Sequence, residues 1–163
     1  MINSTLCYIE KDGKYLMLHR IKKKNDANRD KWVGVGGKFE DGESPEDCVL
    51  REVREETGLS LISYRYRGIV TFVSDRWETE YMHLFTADGF CGELLDCDEG
   101  VLEWISKERL SKIPKWKGDE IFLSLLEKGE SFFSLKLRYE SENLVFAALN
   151  GVPLDIDKTA ESE

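Results

Sequence analysis

The chain has 163 residues, 41% of them hydrophobic and 34% charged, with a formal net charge of -9; that is enough for one globular domain with a core of its own. No apolar run approaches the ~20 residues of a membrane helix. The first residues lack a basic segment followed by a long apolar one, and the acidity disfavours a nucleic-acid backbone as partner.

Residues 5–20, "TLCYIEKDGKYLMLHR", read as a β-hairpin, because two apolar-rich runs flank Asp12-Gly13, a strong turn signal. Ile21 to Lys31 is polar and basic, hence a loop. "WVGVGGKF" (Trp32 to Phe39) reads as a short glycine-rich strand that turns at "EDGES". A helix is expected from Pro45 to Thr57. Ser44 is a good N-cap, Pro45 suits the first helical position and Asp47 stands where a capping-box acid belongs. Gly58 is the natural stop. "LISYRYRGIVTFVSD", "TEYMHLFTADGF" and the first half of "VLEWISKERL" alternate as strands do. Ile121, Phe122, Leu125 and Leu126 have helical spacing, ended near Gly129. "FFSLKLRYE" and "NLVFAALNG" form a closing hairpin across Ser141-Glu142. No repeat or linker splits the chain. The order of elements predicts a mixed sheet with helices packed on it, an α+β arrangement in α/β/α layers. A single domain is expected over 1–154, with a disordered tail over 155–163.

Cys7, Cys48, Cys91 and Cys97 form no Cys-x-x-Cys pair. Neither a zinc site nor a disulfide framework is expected, and a reducing cytoplasm is the default. Lys38 is followed by Phe39, where a P-loop needs Ser or Thr, and no dinucleotide-binding glycine fingerprint, EF-hand loop or Gly-x-Ser-x-Gly elbow is present. His19 and His83 are read as strand histidines. The acids carry more information. Glu55 and Glu56 lie about one helical turn on from Glu52, so three carboxylates share one side of the helix. They form either a solvated face, partly neutralised by Arg51 and Arg54, or an oxygen-rich cation site. Acids at the C-terminal end of a helix oppose its dipole, and like charges four apart repel, so the crowding itself is unfavourable. A bound divalent cation would reverse both effects.

At this point the segment resembles the Nudix box, G-x5-E-x7-R-E-U-x-E-E-x-G-U with U apolar. Gly37, Glu43, Arg51, Glu52, Val53, Glu55, Glu56, Gly58 and Leu59 fill every defined position. The resemblance implies a mixed sheet sandwiched between helices with a C-terminal hairpin. It also implies a hydrolase of nucleoside diphosphates linked to another group, using Mg²⁺ or Mn²⁺. Glu52, Glu55 and Glu56 would be metal ligands, joined by a backbone carbonyl at Gly37 or its neighbour Gly36. Glu99, five residues before Trp104, would complete the metal or base site. The catalytic set would be Glu52, Glu55 and Glu99 with Arg51, which together with Glu43 orients the box.

"WVGVGGKFEDGES" is similar to the MutT-like branch that includes oxidised-purine nucleoside triphosphate diphosphatases. That likeness implies cleavage of a nucleoside triphosphate to a monophosphate and pyrophosphate. Trp116 would stack on the base and Asp119 bond its edge, while Phe72, Arg20 and Lys38 complete the substrate site. Val33 departs from the branch, which carries a base-reading asparagine there, and Gly118 replaces the first of two aspartates. A nucleotide sugar or dinucleoside polyphosphate is the alternative substrate, and a non-catalytic nucleotide sensor the alternative class. The expected partner is a small-molecule nucleotide, not nucleic acid or membrane, with the chain a monomer or homodimer.

Overall fold

The computed structural model of the chain describes residues 1–157. β1 (Ile2–Lys11) and β2 (Lys14–His19) are the predicted hairpin. Asp12 and Gly13 both take positive φ, 53° and 74°, as the right-handed twist of a two-residue hairpin loop requires. β1 then runs parallel to β5 (Glu80–Cys91), from Ile2 opposite Glu80 to Ile9 opposite Ala87. β4 (Ser60–Ser74) pairs antiparallel with β5 and parallel with β7 (Phe133–Glu140), which turns back into β8 (Asn143–Leu149). A two-residue β9 (Val152–Pro153) edges β8. On the other side, β2 takes both β3 (Trp32–Val33) and β6 (Val101–Ser106) as antiparallel neighbours. These nine strands make one mixed sheet.

The expected strand over Trp32 to Phe39 is shorter than its apolar pattern suggests. Only Trp32–Val33 pair with β2. The rest crosses β1 through isolated bridges, Cys7 with Val35 and Ser4 with Lys38. Glycine explains the break, since Gly36 has φ 155° and a side chain there would collide with the Thr5 carbonyl.

α1 spans Pro45–Thr57, as predicted. The Ser44 hydroxyl accepts from the Asp47 amide and the Asp47 carboxylate from the Ser44 amide, and Gly58 closes the helix in the left-handed region. α2 spans Asp119–Glu127. β1 is buried on both faces, so its successive side chains serve two cores. Cys7 and Ile9 join Val49 and Val53 of α1, while Tyr8 joins Phe122 and Leu126 of α2. The helices therefore lie on opposite faces of the sheet, the layered arrangement anticipated. Leu154 and Ile156 still rest half-buried against the α2 core. Of the tail expected over 155–163, residues 158–163 lie outside the described residues.

Candidate active site

The buried stripe of α1, Val49 and Val53, fixes the rotation of the helix. That rotation sets Glu52 and Glu56, one turn apart, beside the glycine segment, and leaves Glu55 exposed. The glycines let backbone and carboxylate approach. A Cβ on Gly37 would fall inside the Glu52 carboxylate. Glu99 arrives from the loop before β6. Its neighbour Gly100 packs so closely on the His19 carbonyl that no side chain fits there. Acids from two distant segments thus meet at one end of the sheet.

Two arginines hold this group. Arg51 grips Glu43 with two parallel hydrogen bonds of 2.7 and 2.8 Å, the fork geometry that makes such pairs strong. It also donates to Glu52 at 2.7 Å, Glu55 at 3.1 Å and the Lys38 carbonyl at 3.0 Å. The guanidinium, bonded to Glu43 together with the Glu40 amide, holds the Glu43 carboxyl down at about 2. Arg20, at the end of β2, donates to Asp26 at 2.5 Å and to Glu99 at 2.8 Å. Lys23 reaches the other oxygen of Glu99 at 3.1 Å.

Glu56 is different. Its Oε1 is buried and has no hydrogen-bond partner. Burial, then the charges of Glu99 and Glu52, push its carboxyl up to about 8 against the opposing pull of Arg20 and the Gly36 amide. A buried carboxylate oxygen left without a donor, facing two more acids, fits a missing hard cation. Among the described residues no three acids already stand closed as a metal cage. Glu52 and Glu55 lean on Arg51, and Glu99 on Arg20 and Lys23, so a cation would compete with guanidinium for the same oxygens. The Gly37 carbonyl accepts from the Thr5 amide at 2.8 Å and also faces the Thr5 hydroxyl and the Cys48 thiol. It is engaged with β1, while the Gly36 amide N–H donates to Glu56.

All of Arg51's side-chain bonds go to the acids and to the Lys38 carbonyl and Cys48 thiol. Its 2.7 Å bond fixes where the Glu52 carboxylate stands. Arg51→Lys loses the fork and is expected to lower the turnover number about tenfold with little change in KM. It should also lower the melting temperature. Wild-type turnover in that variant would show that the fork orients nothing that matters.

The second half of the site lies on the α2 face. Trp116 and Asp119 are 5% and 6% exposed. Phe72 and Tyr139 meet the Trp116 ring edge-on at 5.2 and 4.9 Å, and the Lys31 ammonium stands 4.5 Å from its centre. The Trp116 indole donates to Asn28 at 2.6 Å. Burial pushes the Asp119 carboxyl up to about 8, opposed by Lys115 and Lys31. The Phe72 ring meets Trp116, and the Asp119 amide donates to the Trp116 carbonyl at 3.0 Å. Lys38 is exposed, and it meets the site through its backbone carbonyl on Arg51 rather than through its ammonium. Val33 packs into the α1 core, away from the Trp116 cluster. His19 stacks on Trp32 and His83 lies between Tyr66 and Asn3, as strand residues do. Asn28, Lys31, Tyr8 and Tyr139 are not among the residues expected from sequence, because no local spacing marks contacts made across the sheet.

A protein-family model described as the NUDIX domain matches residues 3–126. The chain is 34% identical over 143 residues to "Uncharacterized Nudix hydrolase YvcI" of Bacillus subtilis, covering 85% of this chain and 87% of that protein. It is 31% identical over 130 residues to the oxidized purine nucleoside triphosphate hydrolase of Danio rerio, covering 78% and 81%. Its fold superposes on the crystal structure of a MutT protein from Bacillus halodurans with a TM-score of 0.82. That match has 26% identity and covers 94% of this chain and all of the other.

Proposed function

The chain belongs to the Nudix family and is a MutT-like pyrophosphohydrolase, and we propose that it cleaves nucleoside triphosphates to monophosphate and pyrophosphate, with oxidised purine nucleotides among its substrates. The observation that carries this reading is the buried, partnerless oxygen of Glu56 among Glu52 and Glu99. The name of the zebrafish relative supports the oxidised-purine part.

Glu52, Glu55, Glu56 and Glu99 would hold Mg²⁺, with Mn²⁺ as the alternative. The cation would neutralise phosphate charge and lower the pKa of a bound water. The carboxylates do the rest. A glutamate of this group would accept the proton of the attacking water. Arg20, which donates to Asp26 and Glu99, would stand beside the phosphates and could bind one. Trp116 and Phe72 supply the apolar walls for a base, and Asp119 offers an edge contact while protonated.

The test is incubation with Mg²⁺ and a panel of nucleoside triphosphates, including 8-oxo-dGTP, with pyrophosphate and orthophosphate measured separately. Pyrophosphate release in step with monophosphate is expected, with the highest kcat/KM on an oxidised purine. Orthophosphate as the first product, or no turnover of any triphosphate, would sink the proposal.

A further inference from the structure

The loop between β2 and β3 folds around one carboxylate. The Asp26 side chain is only 7% exposed, and it accepts from two sides. Its Oδ2 takes Arg20 Nε at 2.5 Å and its Oδ1 takes the Asn28 amide at 3.0 Å. The second bond makes a turn, which a neutral asparagine would make equally well. Burying a carboxylate is costly, so its use at this place lies with Arg20. The Arg20 backbone is pinned at the base of the loop, where its amide donates to the Lys31 carbonyl at 3.0 Å and its carbonyl accepts from the Asp30 amide at 2.7 Å. A guanidinium is planar, so fixing Nε fixes the direction of Nη1. Nη1 donates to Glu99 Oε2 at 2.8 Å. The same loop meets Glu99 twice more, through the Lys22 amide on its carbonyl at 3.3 Å and Lys23 Nζ on its Oε1 at 3.1 Å. Lys23 is exposed, and an ion pair of that kind contributes little. Arg20 alone holds the carboxylate from a largely buried position with a buried acid behind it.

We infer that Asp26 is a positioning residue for Glu99: it clamps Arg20 from behind, and Arg20 in turn holds the Glu99 carboxylate at the acid cluster. This rests on the proposed reading of Glu99 as a cation ligand. A carboxylate that takes a metal is commonly held by a hydrogen-bond donor of its own, and loss of that donor weakens the metal. Glu99 needs such a holder more than Glu52 and Glu56 do. Those two stand on α1, whose buried stripe fixes them, whereas Glu99 stands on the loop before β6. A carboxylate has about four lone-pair sites. Oε2 can therefore stay on Arg20 while Oε1 exchanges the exposed Lys23 for a cation. Asp26 itself bonds Arg20 and Asn28, so it acts on the cluster at one remove.

The first measurement needs neither metal nor turnover. Urea midpoints in EDTA are compared for Asp26→Asn, Glu99→Gln and the two together. Asparagine keeps the acceptor for the Asn28 amide and loses the one for Arg20. Without Asp26, Arg20 no longer holds Glu99, so the double variant should shift the midpoint by less than the sum of the single shifts. In an Arg20→Gln background the two effects should simply add. Shifts that add, or more than add, while Arg20 is present would overturn the inference, because Arg20 would then serve each acid independently. The second measurement is Mn²⁺ binding without nucleotide, read from the electron paramagnetic resonance signal of the free ion. Asp26→Asn and Arg20→Gln should each weaken binding at least ~10-fold, and together no further. Unchanged or tighter binding in Asp26→Asn would overturn the inference, and so would a further loss when the two are combined. A role confined to the loop turn would move neither the coupling nor the Mn²⁺ affinity. If wild type binds no Mn²⁺, the metal reading of the cluster fails and the midpoint cycle alone decides Asp26. Mn²⁺ binding with additive midpoint shifts would keep the cluster and remove Asp26 from it.

Discussion

Glu56→Gln is expected to cut turnover at saturating nucleotide by at least ~100-fold while making the metal-free protein more stable at pH 8. The two effects have one cause. Glu56 has its carboxyl raised from 4.5 to about 8, chiefly by burial. Between those values the folded protein holds a proton that the unfolded chain has released. The stability this contributes is full below pH ~4.5 and is lost as pH rises through about 8. The loss amounts to a few kcal/mol, because each tenfold change in proton affinity is worth ~1.4 kcal/mol. Gln cannot ionise, so the variant escapes that loss. Asp119, raised from 3.8 to about 8, acts in the same direction. Glu43 acts in the opposite one. Its carboxyl is lowered to about 2, so its contribution is present above pH ~4.5 and disappears as pH falls toward 2. In EDTA, the wild-type melting temperature should therefore fall from pH ~5 to pH ~8.5. Glu56→Gln should flatten much of that slope and Asp119→Asn the remainder. Excess Mg²⁺ should restore the wild type at pH 8 but not add to Glu56→Gln in equal measure. A wild type with a flat profile, or a variant less stable than wild type at pH 8, would refute the assignment of Glu56 as a buried acid awaiting a cation.

Adjacent glycines should fail in different ways. Gly36→Ala places a methyl group against the Thr5 carbonyl at a φ of 155° that side chains rarely adopt. Strain and overpacking together are expected to cost ~3 kcal/mol or more, read from the urea midpoint. Gly37→Ala has no such φ, and its methyl group meets the movable carboxylate of Glu52 rather than backbone. Its stability should stay within ~1 kcal/mol of wild type, while kcat/KM falls at least ~10-fold because Glu52 is displaced. Equal stability losses in the two variants would mean that the glycine segment is only a structural crossing of β1. Full activity in Gly37→Ala would mean that Glu52 need not stand where it does.

The helix that carries the acids is legible in full from residues 44–58. Ser44, Pro45, Asp47 and Gly58 act on their near neighbours, and a capping box or a left-handed stop needs nothing from the rest of the fold. The hairpin at Asp12-Gly13 and the alternating strands are legible for the same reason. The glycine strand is not legible beyond Val33, because its apolar spacing resembles a strand while its path is set by close passage over β1. Phe72, Trp116 and Asp119 are anticipated by family likeness alone.

What the sequence by itself determined about this protein is the set of local elements and the crowding of Glu52, Glu55 and Glu56 on one helix. Those follow from φ/ψ preferences, caps and a 3.6-residue period, all of which act over a few residues. Only the tertiary structure decided which of those acids is buried, that Arg20 and Glu99, 79 residues apart, face each other, that Val33 turns into the other core, and that Asn28 is the amide beside Trp116. Each of these depends on strand register and on where a loop closes. A shift of one residue in a strand sends every side chain to the opposite face, so burial and long-range contact exist only once the whole sheet has assembled.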